Sequence, residues 1–524
     1  MDNEATKQPK PHGPTGKLIL LINIAFFAGA SIMLIELSAN RVLSPWFGNT
    51  LFTWTGLIGV ILLAMSGGYY FGGWLADRKP SFTVLGHLLL GSAGLTLLVP
   101  VISPSLTAVF GKDTNIILGP VLASLVLFAV PGFLLGTVSP FAIRLTSMAT
   151  ADKKVGTSAG LIGMFSTLGS VIGTFAAGFL LIPTLGIRII FTLVGVLLAL
   201  LAVLAYLQFM QRRKDLATTL GGTALLITCL SILTAMTAPG PEPGVIYDHD
   251  NFYHRVRVLE ENSHPDGPLR TLMLDTTPEG SQYAKTGEPS IPYQSYWELS
   301  KVFCPGLERA AFLGAGAFAM PEGVCDAFPG SVVDVVDIDP EVIAVGRKYF
   351  RVDDYPQMNP IAMDARMFLA NTDETYDLIF GDAYNGLRAI PAHLVTAEFF
   401  GQVKDRLNPD GVYMMNIVSA YEGDRATLFK AIARTLSGSF TNIEVFAIDP
   451  SLPGAVQNLL LVASDREIAL TLDGVETGSR EDWIRFLLNT HLKPSRYNYA
   501  NALVLTDACN PVDLIIAEGL MLGD

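Results

Sequence analysis

Before residue 240 the chain holds seven apolar runs, each long enough to cross a bilayer: about 17–38, 52–75, 84–107, 115–140, 157–183, 187–208 and 217–237. This feature restricts the fold more than any other. In hydrocarbon a helix can bond all of its own backbone groups, so each run is read as a spanning helix. Gly68-Tyr-Tyr-Phe-Gly72 and Gly169-Ser-Val-Ile-Gly173 are small-xxx-small patterns that let helix backbones approach closely. Pro131 and Pro183 mark kinks or ends. Glu36 is the one acid deep in a span, with Arg41 about a turn later. It is either a functional carboxylate or half of a structural pair with Arg41.

Charge divides the chain at the same place. Fourteen Lys and Arg against seven Asp and Glu precede residue 240, leaving 21 against 41 after it. The apolar half is therefore +7 and the remainder −20. Opposite charge and unequal hydropathy imply separate domains. The organisation expected is a disordered N-terminus over 1–16, about seven transmembrane helices over 17–238, a linker and small β subdomain over 239–300, and an α/β domain over 301–524. A domain this acidic is a poor nucleic-acid binder. Four cysteines with no C-x-x-C argue against a zinc site, and no metal is expected. Cys304 and Cys325 flank one strand; they are free thiols or, in an oxidising compartment, a pair.

Basic residues in short loops set orientation. Eleven lie at the N-terminus and in loops 2–3, 4–5 and 6–7, against Arg41, Lys112 and Arg188 on the other side. The chain reads as a multi-pass protein of the inner (plasma) membrane, in the lipid bilayer with its N-terminus cytoplasmic. Seven spans put the acidic domain outside, whereas a cytosolic nucleotide would need it inside. The sequence leaves that open, and glycine-rich helix faces leave a homodimer open.

The acidic half is organised around residues 310–350. The apolar run Ala310–Leu313 leads into Gly314-Ala315-Gly316-Ala-Phe-Ala319, and a second run, Val332–Val336, ends on Asp337. Strand, glycine turn, helix, strand and acid make a nucleotide-binding βαβ unit, whose acid can accept both ribose hydroxyls. Asp339-Pro340 caps the next helix. Asn359–Met363 and Tyr376–Gly381 are further strands, ending on Asp364 and Asp382. Residues 246–276 alternate as short antiparallel strands around a loop at 264–267, and a helix is expected near Pro292–Phe303. Thr396–Leu407 reads as a helix closed by Asn408-Pro-Asp-Gly411, after which Val412–Ile417, Asn442–Ala447 and Gln457–Val462 complete the sheet. The alternation predicts a doubly wound, Rossmann-like α/β domain, and its strand-end acids resemble the arrangement of the S-adenosylmethionine methyltransferase type. An acid at each of three successive strand ends would hold a ribose (Asp337), an adenine amine (Asp364) and the reacting sulfonium (Asp382).

At these residues the chain resembles the spermidine synthase (polyamine aminopropyltransferase) family, in its membrane-fused branch. Asp337-Ile338-Asp-Pro-Glu341 is similar to the family's ribose-binding E-I-D-P-E; Met363-Asp364-Ala365-Arg366 is similar to its adenine-binding stretch. Tyr376–Asp382 resembles the strand ending on the catalytic aspartate. Tyr293-Gln294 resembles a pair at the amine channel, and Tyr253-His254 a hairpin pair closing the thioether pocket. "GGWLADR" and Leu505–Pro511 resemble segments of fused members. The resemblance implies that Gly314, Ala315, Gly316, Asp337, Ile338, Asp364, Ala365 and Asp382 hold S-adenosylmethionine or its decarboxylated form. It implies Asp382 as general base with Tyr293 beside it, and Tyr253, His254, Gln294, Tyr384 and Asn385 around a small-molecule amine. Two positions depart from the pattern. Ala317 stands where the family has the acid that binds the aminopropyl ammonium, and Asn385 where it has a second acid for the acceptor. A buried ammonium without a counter-charge is costly, so Ala317 favours intact S-adenosylmethionine. The expected activity is transfer of an aminopropyl or aminocarboxypropyl group with release of methylthioadenosine. A lyase giving homoserine lactone, with no second substrate, is a variant. A methyltransferase on a membrane substrate and a non-catalytic transporter sensing S-adenosylmethionine or polyamine are the alternatives.

Overall fold

The computed structural model describes residues 16–113, 117–149, 155–207, 221–222, 228–234, 236, 243–262, 265–383, 390–473, 475 and 480–521. The chain divides into two compact units, Met1–Phe47 with Phe52–Gly240, and Gly48–Leu51 with Pro241–Asp524.

In the first unit six helices among the described residues have the length and composition to cross a membrane: Gly16–Phe47, Leu51–Arg78, Phe82–Leu106, Leu118–Ala149, Val155–Thr184 and Ile187–Leu207. The seventh expected run, 217–237, falls largely outside the described residues; within it 228–234 is helical. Pro131 lies inside a helix, and the turn before Pro183 widens to a π-helix over Ala177–Leu181. Glu36 Oε2 is buried with no hydrogen-bond partner.

Both glycine patterns sit at helix crossings. A Cβ built at Gly169 would lie 1.9 Å from the Phe26 carbonyl oxygen, and one at Gly173 2.6 Å from that of Ala30. Ser170 Oγ donates to the Gly29 carbonyl across the same crossing at 3.2 Å. Gly68 and Gly72 meet Phe133 and Thr137 equally closely. Gly169→Val should therefore destabilise the protein by at least about 2 kcal/mol, since neither backbone can yield without parting the helices. Gly163→Ala, on the same helix with open space around it, should be neutral. Thermal melts in detergent compare the two.

Among its described residues the second unit holds two sheets. Strands β1 (Val245–Asp250), β2 (Arg255–Glu261), β3 (Leu269–Leu274) and β4 (Thr277–Tyr283) form an antiparallel meander. The larger sheet contains β5 (Arg309–Leu313), β6 (Val332–Asp337), β7 (Met358–Ala362), β8 (Tyr376–Gly381), β9 (Leu407–Ser419), β10 (Asn442–Ala447), β11 (Gln457–Ser464) and β12 (His491–Leu492). Its order is β12-β10-β11-β9-β8-β5-β6-β7, with β5 to β9 parallel and the far edge antiparallel. Alternate residues feed two cores. Ala310 and Phe312 of β5 face one, while Ala311 and Leu313 face the other. A strand covered on both faces reads as a nearly continuous apolar run, which is why β5, β6 and β8 stand out in the sequence despite Asp334 and Asp377.

The helix expected near Pro292–Phe303 is present, as a 3₁₀-helix over Pro292–Leu299 continued by α-helix over Ser300–Phe303. One local expectation needs correction. The helix expected over 396–407 spans Ala397–Asp405, capped by Thr396, and Asn408–Gly411 belongs to the start of β9 rather than to a closing turn. Tyr376 N donates to the Arg406 carbonyl and β9 then pairs with β8 through a register shift, so the turn-like Asn-Pro-Asp-Gly is absorbed as a bulge.

Candidate active site

Strand order places the site. From β5 the chain winds one way through β6 and β7, then returns to β8 on the other side of β5. Ligands of open α/β sheets bind where the order reverses, outside the carboxyl ends of the strands. Three backbone bonds tie those ends together: Asp382 N donates to Leu313 O (2.8 Å), Gly314 N to Val336 O (2.8 Å) and Met363 N to Asp337 O (2.9 Å).

An open cleft lies there, with about 770 Å³ of space when the open solvent at its mouth is included. Gly314, Ala315, Gly316, Asp337, Ile338, Asp364, Ala365, Asp382 and His254 all line it. Gly314 has φ +106°, and a Cβ on it would lie 2.3 Å from the Asp382 carbonyl oxygen. Gly316 has φ +48°. The third turn position is Phe318, also left-handed at φ +62°, and its ring packs so tightly on Gly346 that a Cβ there would lie 2.3 Å away.

Each strand-end acid has a distinct setting. Asp337 accepts from Ala315 N (3.2 Å) and Asp339 N (2.9 Å), which stiffens the glycine turn and leaves one acceptor site on each oxygen. Burial raises its carboxyl to about 6 against those two bonds. Asp364 caps the helix Ala365–Asn371 through Met367 N (3.0 Å), and its other oxygen meets His393 Nε2 at 2.8 Å. It thus both begins a helix and faces the cleft. Asp382 accepts from Asn416 Nδ2 (2.8 Å) and the Tyr293 hydroxyl (3.2 Å). Burial raises it to about 6, with those two donors pulling it down.

The other expected residues divide. Tyr293 reaches Asp382, but Gln294 does not line the cleft. It is buried and takes the Ser281 N–H at 3.2 Å, bracing β4. The 3₁₀ turn sends the two adjacent side chains to different partners, Asp382 and Ser281. Tyr253 is likewise absent from the cleft wall; its ring lies edge-on to Phe252 at 5.2 Å. His254 does line the cleft, with Nδ1 3.1 Å from Asp275 Oδ2. Asn251 holds the backbone of both, accepting from Tyr253 N (2.7 Å) and His254 N (2.8 Å) while donating to Asp339. Tyr384 and Asn385 lie outside the described residues.

Two site residues escaped sequence reasoning. Asn416, buried in β9, orients Asp382 and is itself held by Asn458 Nδ2 at 3.0 Å. Glu279 of β4 brings a fourth carboxyl into the cleft wall. Burial pushes it well above the usual range, with Asp382, Asp337 and Asp275 adding to the effect. Cys304 and Cys325 are free and buried.

Residues 329–470 match the family model described as Spermine/spermidine synthase domain. The chain is 31% identical over 235 residues to the polyamine aminopropyltransferase of Vibrio vulnificus, covering 42% of this chain and 73% of that protein. It is 24% identical over 407 residues to polyamine aminopropyltransferase 2 of Aquifex aeolicus, covering 74% and 77%. A crystal structure titled as a probable spermidine synthase from Corynebacterium glutamicum aligns at 20% identity and a TM-score of 0.43, covering 52% of this chain and 99% of that one.

Proposed function

This chain belongs to the polyamine aminopropyltransferase family, transferases that use decarboxylated S-adenosylmethionine as substrate, and from that premise we propose that it is an integral-membrane enzyme moving an alkyl group from an adenosyl-sulfonium donor to an amine. One observation carries the reading: Asp382, held from both sides by Tyr293 and Asn416, stands at the strand crossover beside the glycine turn and Asp337. Asp337 accepts the ribose hydroxyls, and Asp364 with its capped helix takes the adenine edge. The acceptor nitrogen bonds to the donor carbon next to sulfur. The C–S bond breaks with its electron pair on sulfur, so neutral methylthioadenosine leaves. The nitrogen's proton passes to the Asp382 carboxylate. The sulfonium is already activated, and holding both partners in line supplies much of the rate.

The test is product analysis. Detergent-purified protein given decarboxylated S-adenosylmethionine and putrescine should yield methylthioadenosine and aminopropylated amine in equal amounts by mass spectrometry. S-Adenosylhomocysteine from S-adenosylmethionine would instead indicate methyl transfer, and homoserine lactone without an acceptor would indicate the lyase variant.

A pH profile follows from the same two acids. Asp382 must be charged to take a proton, and Asp337 charged to hold the ribose hydroxyls. Both carboxyls are raised to about 6, so kcat/KM should fall as pH drops through 6, its slope approaching two. A profile flat from pH 7.5 to 5 would contradict these assignments.

The apolar half is assigned to the plasma membrane with the N-terminus cytoplasmic, supported by the eleven basic residues in loops on one side. The nucleoside donor is cytosolic, which favours a cytoplasmic catalytic half. Cys509 is an exposed thiol. In a Cys229→Ser background, membrane-impermeant maleimide should label it in inverted vesicles and spare it in intact spheroplasts; the reverse pattern would place that half outside.

A further inference from the structure

Resting on the aminopropyl-transfer reading, we propose that Glu279 binds the ammonium at the end of the donor's propyl chain and makes the site select a decarboxylated donor. Three of the four carboxyls in the cleft are already committed. Asp337 holds the glycine turn and faces the ribose, Asp364 caps a helix beside His393, and Asp382 is gripped by Asn416 and Tyr293. Glu279 alone among them has a buried oxygen, Oε1, with no hydrogen-bond partner. Such a group inside a ligand cleft is costly unless a donor arrives to meet it.

Its position suits that donor. The Tyr293 hydroxyl that bonds Asp382 also lies 3.4 Å from the Glu279 carbonyl oxygen, so Glu279 belongs to the reacting end of the cleft. The same wall holds Leu272 and Leu274 of the paired strand β3, and Gly316, on which a Cβ would lie 3.1 Å from the Glu279 carbonyl oxygen. Two leucines suit a three-carbon chain, and Glu279 supplies a charge for the chain's end. The expectation drawn from Ala317 is thereby reversed. Ala317 is fully buried against β4, where a Cβ on Gly280 would lie 2.9 Å from its own Cβ, and the strand brings the missing carboxylate from the residue next to that contact. Burial and the facing acids Asp382, Asp337 and Asp275 push the Glu279 carboxyl well above its ordinary range. An ammonium beside it would favour its charged form and so form an ion pair. The α-carboxylate of intact S-adenosylmethionine would instead add one more acid to a cleft wall that already holds four.

The experiment compares three ligands on the full-length protein in detergent by calorimetry: decarboxylated S-adenosylmethionine, S-adenosylmethionine, and methylthioadenosine, which has no ammonium. Wild type should bind the decarboxylated donor at least tenfold more tightly than the intact one. Glu279→Gln should weaken the decarboxylated donor about 10- to 100-fold, leave methylthioadenosine within about threefold, and narrow the preference over S-adenosylmethionine. Retained methylthioadenosine binding shows that the variant is folded. Equal weakening of all three ligands, or no change in any, would overturn the role of Glu279. So would a wild type that binds both donors equally, whatever the variant does. A wild type that binds none of the three would overturn the aminopropyl-transfer reading itself.

Discussion

Asp382→Asn should lower kcat by about 10²- to 10⁴-fold, the range general-base removal commonly produces, while methylthioadenosine affinity stays within about threefold. Asparagine keeps an oxygen for the Asn416 amide and fills the same space, but it cannot take a proton. The loss therefore falls on kcat and not on nucleoside binding. Stability should not suffer either. A carboxyl whose folded-state pKa is raised to about 6 favours the fold below its ordinary range, near 4, and that contribution is lost as pH rises through 6. At pH 7.5 the charged Asp382 is thus a cost, and the variant should melt at the wild-type temperature or slightly above. Initial rates with saturating donor, beside a melting curve, check both halves. A fall in kcat below tenfold would remove Asp382 from the role of base.

Gly314→Ala should be the most damaging single-methyl change in the catalytic unit. At φ +106° an alanine is strained, and its Cβ would press on the Asp382 carbonyl at 2.3 Å. Strain and crowding together should cost about 3 kcal/mol or more, because neither strand end can retreat. β5 and β8 are locked by the Asp382 N to Leu313 O bond. Relief by shifting the turn would carry Ala315 N away from Asp337 and Asp382 away from Tyr293. Nucleoside affinity and turnover should therefore fall together, each by at least about a hundredfold. Gly330→Ala, where a Cβ meets open space, is the control and should change neither.

How far the sequence discloses such a site depends on what surrounds each residue. Gly314, Asp337 and Asp382 were legible because each follows or ends a strand buried on both faces, and such strands announce themselves as apolar runs, whereas Asp364 follows the half-exposed edge strand β7 and was placed by the alternation of strands and helices. Glu279 was not. β4 reads Thr-Pro-Glu-Gly-Ser-Gln-Tyr, with a proline and no apolar alternation, so nothing marked it as a strand or as the wall of a cleft. Asn416 was missed for the opposite reason, being embedded in an apolar strand and taken as part of it. A polar residue within Tyr-Met-Met-Asn-Ile-Val is itself a signal, since a buried amide requires partners, here Asp382 and Asn458. Gln294 was placed at the acceptor by the resemblance of Tyr293-Gln294 to the family's pair; in the structure its side chain is buried and accepts the Ser281 N–H. In the apolar half, Gly68, Gly72, Gly169 and Gly173 were identified by spacing alone, because a helix crossing that close admits only the smallest side chains.

The central claim is that the strand-end acids converge on one adenosine-bearing ligand. Calorimetric titration of the detergent-purified protein with methylthioadenosine, in wild type and Asp337→Ala, tests it most directly. The account predicts one site per chain in the wild type and a loss of at least about 150-fold in the variant, the worth of two hydrogen bonds to a charged acceptor. Absence of binding to the wild type, or equal affinity in both proteins, would contradict it.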